Sequence, residues 1–229
     1  SVKNVKEERR REKRNRILDE AGKLFVLNGI ESTKIIDIAK AAGVAKGTVY
    51  EYFESKEDIV IEWMNGTFGE FRSNMQEKLS REDNAVSKLR VFLEYSAEEF
   101  TSIMVNTKII MQQRFEDICR RYSLEDSLED SIDKVAGDRI ASVVLDNVKI
   151  EFELLNAIIR EGQDSGELRK DINLSIMPFF ILSILPFLGM TKNPDFPEEY
   201  LERRFNFKRP QWTGEEIISY IVDGIGKRQ

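Results

Sequence analysis

Apolar residues recur at helical spacing along most of the chain. Ile17, Leu18, Ala21, Leu24 and Phe25 form one stripe, which predicts a helix from Arg9 to Asn28 closed by Gly29. Residues 1 to about 8 are polar and expected to be disordered. In the next stretch, Ile35, Ile38, Ala39 and Ala42 share a face. That predicts a short helix with Thr33 as its N-cap and Gly43 ending it, because glycine accepts the left-handed cap conformation without steric cost. A second short helix is expected over Lys46–Phe53. Val49 and Phe53 point together into a core, and Gly47 and Glu51 face away, flanked by Lys46 and Tyr50 on one edge and Thr48 and Tyr52 on the other. Helix, glycine turn, helix with one free face is the helix-turn-helix pattern.

Ser55-Lys56-Glu57-Asp58 reads as a capping box. It opens a long helix through Ile59, Trp63, Phe71, Met75 and Leu79. Further helices are expected at about 84–101, 102–121 and 124–161, the last with a break near Gly137, followed by a loop over 161–171. The apolar stretch Ile176–Met190 falls short of the ~20 residues a bilayer needs and contains Pro178 and Pro186, so it is not read as a membrane span. A helix apolar on nearly all sides belongs at the centre of the body or against another subunit, and Pro186 should kink it. Residues 191–212 read as irregular, with a short helix over 198–205. A capping sequence at Thr213–Glu216 precedes a final helix carrying Ile217, Ile218, Ile221 and Ile225. Period-two alternation is rare. The fold class is all-α: a three-helix head over residues 1–56 and a larger helical body of about nine helices over 57–229.

Charge sharpens this division. The formal net charge is −6, yet residues 1–56 carry +4 and the remainder −10. A basic head on an acidic body suits a nucleic-acid-binding domain joined to a second one. The basic run RRREKRNR from Arg9 opposes the dipole of its helix, so a compensating benefit such as phosphate contact is expected. The single cysteine, Cys119, forms no internal disulfide and reads as a buried small hydrophobe in a reducing cytoplasm. The charged N-terminus does not read as a signal peptide. The chain has no histidine, which removes the commonest general base and metal ligand. No phosphate-binding glycine loop or nucleophile elbow is present, so no catalytic residue, metal or cofactor is expected.

The basic first helix and the text DIAKAAGVAKGTVYEYFESKEDI resemble the TetR family of bacterial transcriptional regulators over about residues 9–62. EGQDSGELRKD ahead of the apolar helix is similar to the family's boundary before its dimerisation helices. The resemblance implies a cytoplasmic homodimeric repressor that leaves operator DNA on binding a small molecule. Carried over by position, Lys46, Gly47, Thr48, Tyr50 and Tyr52 would read the groove or touch phosphates, and Lys56 would hold a phosphate. Thr33 and Ile36 join this set, Ile36 against a thymine methyl. Glu51 would repel phosphates unless it accepts a hydrogen bond from cytosine N4. Dimerisation would use Phe179, Ile184, Phe187, Ile217 and Ile221. Trp63, Phe68, Phe92, Tyr95, Met104, Met111, Phe115 and Phe152 would suit an apolar or aromatic effector, with Lys108, Gln112 or Arg114 as its polar anchor, although plain core packing serves each of them too. The competing readings are a constitutive DNA-binding adaptor or activator with a filled body core, and an enzyme relying on buried carboxylates or lysine.

Overall fold

The computed structural model describes residues 2–106, 139–192 and 214–226. These form eight helices: α1 (Val2–Asn28), α2 (Ile35–Ala41), α3 (Lys46–Tyr50), α4 (Lys56–Leu79), α5 (Ala85–Asn106), α6 (Arg139–Ser165), α7 (Met177–Lys192) and α8 (Gly214–Ile225). The described residues contain no strand, only an isolated antiparallel bridge between Leu168 and Gly226. The protein is all-α. Helix α1 starts at Val2, so residues 2–8, expected to be disordered, continue the helix. Lysine, glutamate and arginine are good helix formers, and Glu8 sits three residues before Arg11 for a side-chain ion pair.

The chain divides into two compact units. The described part of the first is residues 2–69, 106 and 139–146; that of the second is 70–105, 147–192 and 214–226. The first unit's core gathers Ile17, Ala21 and Phe25 of α1, Ile38 of α2, Val49 of α3, Phe53, and Ile59, Val60 and Met64 of α4. Ile140 of α6 is buried with them. Gly22 lets α1 lie close to α4: a Cβ there would sit 2.5 Å from Trp63 Nε1. Trp63 in turn packs tilted against Phe25, ring centres 5.5 Å apart.

Two glycines end helices where sequence placed them. Gly29 has φ +82° and Gly43 φ +64°, a region where side chains are strained. After α2, the Val44 N–H donates to Ala39 O and the Gly43 N–H to Lys40 O, the paired bonds of a Schellman stop. At the start of α2 the structure corrects the expected cap: Lys34 is the N-cap and makes no side-chain bond. The capping box of α4 forms. The Asp58 N–H donates to Ser55 Oγ at 3.1 Å, and the Ser55 hydroxyl donates to Asp58 Oδ2 at 2.7 Å.

The second unit's core joins Phe71, Met75 and Leu79 of α4, Leu89, Phe92 and Leu93 of α5, Leu155 and Ile159 of α6, Ile181 of α7 and Ile218 of α8, together with Leu168. The loop expected over 161–171 begins later, because α6 runs on to Ser165 and stops at Gly166, φ +80°. Glu167 in that loop accepts hydrogen bonds from the Ala85 and Val86 N–H groups at 2.8 and 3.4 Å. It thereby caps α5 from 82 and 81 residues away, where Asn84 alone was in reach by sequence. Thr213 and the expected helices between 107 and 138 lie outside the described residues.

Candidate nucleic-acid interface

Helix α3 is held by its inner side alone. Val49 is fully buried and Phe53 nearly so, whereas Lys46, Gly47, Tyr50 and Glu51 are exposed and Thr48 is half-buried. Regular helix ends at Tyr50, three residues before the expected Phe53. The chain then tightens: the Tyr52 N–H donates to Val49 O across a shorter turn, and the Phe53 N–H also reaches Val49 O. That last turn swings Phe53 inward and leaves Tyr52 half-buried at the rim. Gly47 has no atom within 4 Å of where a Cβ would stand, and its φ is not positive. Neither packing nor backbone conformation demands glycine there.

Basic side chains of α1 border this surface. The Arg10 guanidinium lies 5.8 Å from the Tyr52 ring centre and that of Arg14 4.7 Å from Phe53, both within cation–π range. Arg14 also forms a two-pronged ion pair with Glu62. Ile36 on α2 is half-exposed, off the core stripe as its spacing implied.

Two site expectations change. Thr33 is only 2 % exposed, and its hydroxyl donates to Gly29 O at 2.7 Å and Leu24 O at 3.2 Å. It therefore closes the end of α1, with its hydroxyl turned inward. Lys56 is not a free cation: its ammonium donates to the carbonyls of Ile30, Thr33 and Glu31 at 3.0, 3.3 and 3.4 Å. Those bonds hold the α1–α2 loop onto the start of α4. Sequence reasoning missed this because the three acceptors are backbone oxygens more than twenty residues away. It also missed Arg139, whose guanidinium meets Asp58 at 2.8 Å and Glu57 at 3.9 Å. The Ser55 hydroxyl, then Arg139, hold the Asp58 carboxyl below its ordinary range.

Residues 17–63, all within the first unit, match the family model for bacterial regulatory proteins of the tetR family. The head of this chain thus carries the TetR-family DNA-binding signature. Similarity to curated regulators extends past the head. The Fatty acid metabolism regulator protein of Bacillus subtilis is 28 % identical over 167 residues, 73 % of this chain and 76 % of that one. The HTH-type transcriptional repressor KstR2 of Rhodococcus jostii is 28 % identical over 169 residues, 72 % of each. Among solved structures, FadR from Bacillus subtilis in complex with stearoyl-CoA aligns with TM-score 0.61 at 21 % identity, covering 92 % of this chain and 98 % of that one.

The other expected site residues fall in both units. Trp63 and Phe68 pack against the first unit's core. Phe92 and Tyr95 are buried in the second, where Tyr95 stacks on Phe71 with ring centres 5.2 Å apart, and Phe152 is half-buried. The side chain of Met104, and Met111, Phe115, Lys108, Gln112 and Arg114 entirely, lie outside the described residues. Polar groups unforeseen in sequence do enter the second unit. Arg72 donates to Asn147, and one turn along α6 Glu151 is mostly buried. Burial pushes its carboxyl up to about 7, against the lowering influence of Arg72. Among the described residues, Ser96 Oγ and Asn156 Oδ1 are buried without a hydrogen-bond partner. Mid-helix asparagine and glutamate are ordinary surface residues in a sequence, so no pattern marks them.

Of the expected dimer residues, Ile217 is buried, Ile184 and Ile221 are half-buried, and Phe179 is strongly exposed. The Phe187 side chain lies outside the described residues. Met177, Phe180, Ile184, Ile217, Tyr220 and Ile221 line an open apolar groove of about 440 Å³ between α7 and α8. Of its lining, Phe180 and Tyr220 are exposed, and Ile176 and Phe179 near the start of α7 are exposed too. No described helix is long and apolar enough to cross a membrane.

Proposed function

We propose that this protein is a homodimeric, ligand-responsive repressor that acts in the cytoplasm on operator DNA and not as an enzyme. The observation that carries this is α3, anchored inside by Val49 and Phe53 while Lys46, Gly47, Tyr50 and Glu51 face out. Two such helices in a symmetric dimer would enter successive major grooves about 34–36 Å apart. The exposed aromatic groups around the α7–α8 groove support that face as the dimer contact, since large contiguous apolar patches on soluble proteins mark association sites.

For the effector we infer an apolar acyl chain with a polar end. Support comes from the stearoyl-CoA complex of the Bacillus subtilis FadR structure and from the polar groups inside the second unit. Ser96 Oγ and Asn156 Oδ1 are buried atoms that a polar effector end would satisfy, and a buried polar atom left unpaired is costly. Effector and DNA binding would then be mutually antagonistic.

An operator enriched from a random duplex library by the purified protein gives the test. Fluorescence anisotropy with and without stearoyl-CoA should show weaker binding in its presence. Equal affinity across a series of acyl-CoA chain lengths would reject release by this class and leave a constitutive adaptor or activator. A monomer by light scattering would reject the paired-helix geometry.

A further inference from the structure

The flanks of α1 are sorted by charge. Lys6, Arg9, Lys13 and Arg16 are spaced three, four and three residues apart. At 100° per residue they fall within an arc of about 80°, and at 1.5 Å per residue they span about 15 Å. All four are exposed, and among the described residues no ion pair engages any of them. The acidic residues Glu8, Glu12 and Asp19 gather on another flank, about 100° away by the same rotation, and the basic row ends at Glu20, the next position along it, which pairs with Lys23. The buried face of Ile17, Ala21 and Phe25 lies about 100° to the other side. The stripe therefore borders the packed side of the helix. Arg10, about 40° beyond the stripe's edge on the same angular sector as the buried face, lies over Tyr52 just past the end of the reading helix.

A solvated face needs no such sorting, because interspersed opposite charges stabilise an exposed helix better than a one-sign row. Four cations in a row repel one another, Arg9 and Lys13 as like charges four residues apart. The row gains when a polyanion lies along it. We infer that the Lys6–Arg9–Lys13–Arg16 flank is a second DNA contact, a sequence-independent clamp on the phosphate backbone beside the bases that α3 reads. Charge complementarity and continuity with the α3 surface through Arg10 and Tyr52 single out duplex DNA as its occupant. The inference rests on the DNA-reading role of α3 and extends it: α3 supplies sequence preference, α1 supplies affinity and salt dependence.

The test uses the full chain and its selected operator, with dissociation constants measured from 50 to 200 mM KCl. Each lost phosphate contact lowers the slope of log K against log salt by about 0.9. The combined variant Lys6→Gln, Arg9→Gln, Lys13→Gln, Arg16→Gln should therefore lose at least about 2 in slope and bind tenfold or more weakly at 150 mM. Its ratio of operator to scrambled-duplex affinity should stay unchanged. The charge-keeping variant Lys6→Arg, Lys13→Arg should retain the wild-type slope. The opposite-flank variant Glu8→Gln, Glu12→Gln, Asp19→Asn should not lose slope. Equal helicity by circular dichroism separates these results from unfolding. An unchanged slope in the quadruple variant overturns the clamp while α3 recognition stands, and so does a lost operator preference with the slope intact. If the wild type enriches no duplex at all, α3 recognition itself fails and takes the clamp with it.

Discussion

Gly47→Ala should move stability and DNA binding in opposite directions. Within the folded chain a methyl group at this position meets open space, since nothing lies within 4 Å of the Cβ site, and the backbone there is not in the glycine-only region. Replacing glycine by alanine inside a helix is worth up to about 1 kcal/mol; at the second position of a five-residue helix about 0.5 kcal/mol is reasonable. For a chain of this size that corresponds to a melting temperature about 1–2 °C higher. The same methyl would stand on the outer face of α3, between exposed Lys46 and Tyr50. If the α3 backbone approaches DNA closely at Gly47, the added carbon opens the interface, and a tenfold loss of affinity, about 1.4 kcal/mol, is the expected minimum.

Gly66→Ala is the matched control. Gly66 also has an open Cβ site, but it lies on exposed α4 away from α3. It should stabilise by about 0.8 kcal/mol and leave operator affinity alone. Thermal melting and anisotropy on the selected operator read both effects. Wild-type affinity in Gly47→Ala would refute close backbone approach. A fall in both stability and affinity would show that Gly47 serves the fold.

Other expectations follow from single contacts. Gly22→Ala drives a methyl into Trp63 and should cost about 1–3 kcal/mol, with a change in tryptophan fluorescence that Gly66→Ala lacks. The Glu151 carboxyl, raised to about 7 by burial against an ordinary value of 4.5, favours the protonated folded state. Its stabilising effect is complete below about pH 4.5 and lost as pH rises towards 7, at most about 3 kcal/mol. Glu151→Gln should thus match the wild type at pH 4.5 and exceed it at pH 8 in urea titrations. Glu167→Ala frees two N–H groups at the start of α5 and should lower stability by about 1 kcal/mol without touching operator affinity.

How far the fold could be read in advance depended on the range of the interactions. Gly29, Gly43 and the Ser55–Asp58 box were legible because each acts within a few residues. The inward direction of Val49 and Phe53 followed from spacing alone, even though α3 ends at Tyr50. Thr33 was misread because a threonine before a helix is statistically a cap, whereas this one turns back to the carbonyls of the preceding helix. The expected division at residue 56 followed a motif boundary. The apolar period of α4 runs on unbroken, Ile59 to Met64 serving one core and Phe71 to Leu79 the other. Ile140 enters the first core from more than seventy residues downstream. Arg72, Asn147 and Glu151 were invisible for a related reason: a polar residue's burial depends on which helix packs over it.

The start of α4 sets a constraint on how such a protein responds. Lys56 spends its three donors on the loop carbonyls of Ile30, Glu31 and Thr33. A direct phosphate contact by that ammonium would require at least one of these bonds to break. Loop order and a direct Lys56–phosphate bond are thus alternatives, and the cation's favourable field at the helix N-terminus is what it can give DNA without disturbing the loop. Two residues on, Asp58 is shared between the Ser55 cap and Arg139 of α6. Four consecutive positions therefore fix the loop before α2, the first turn of α4 and the first residue of α6 together. A displacement of α6 at Arg139 acts on the same turn that positions α2 and α3. Sensitivity of DNA affinity to substitution should accordingly be higher at Lys56 and Asp58 than their distance from the outer face of α3 would imply.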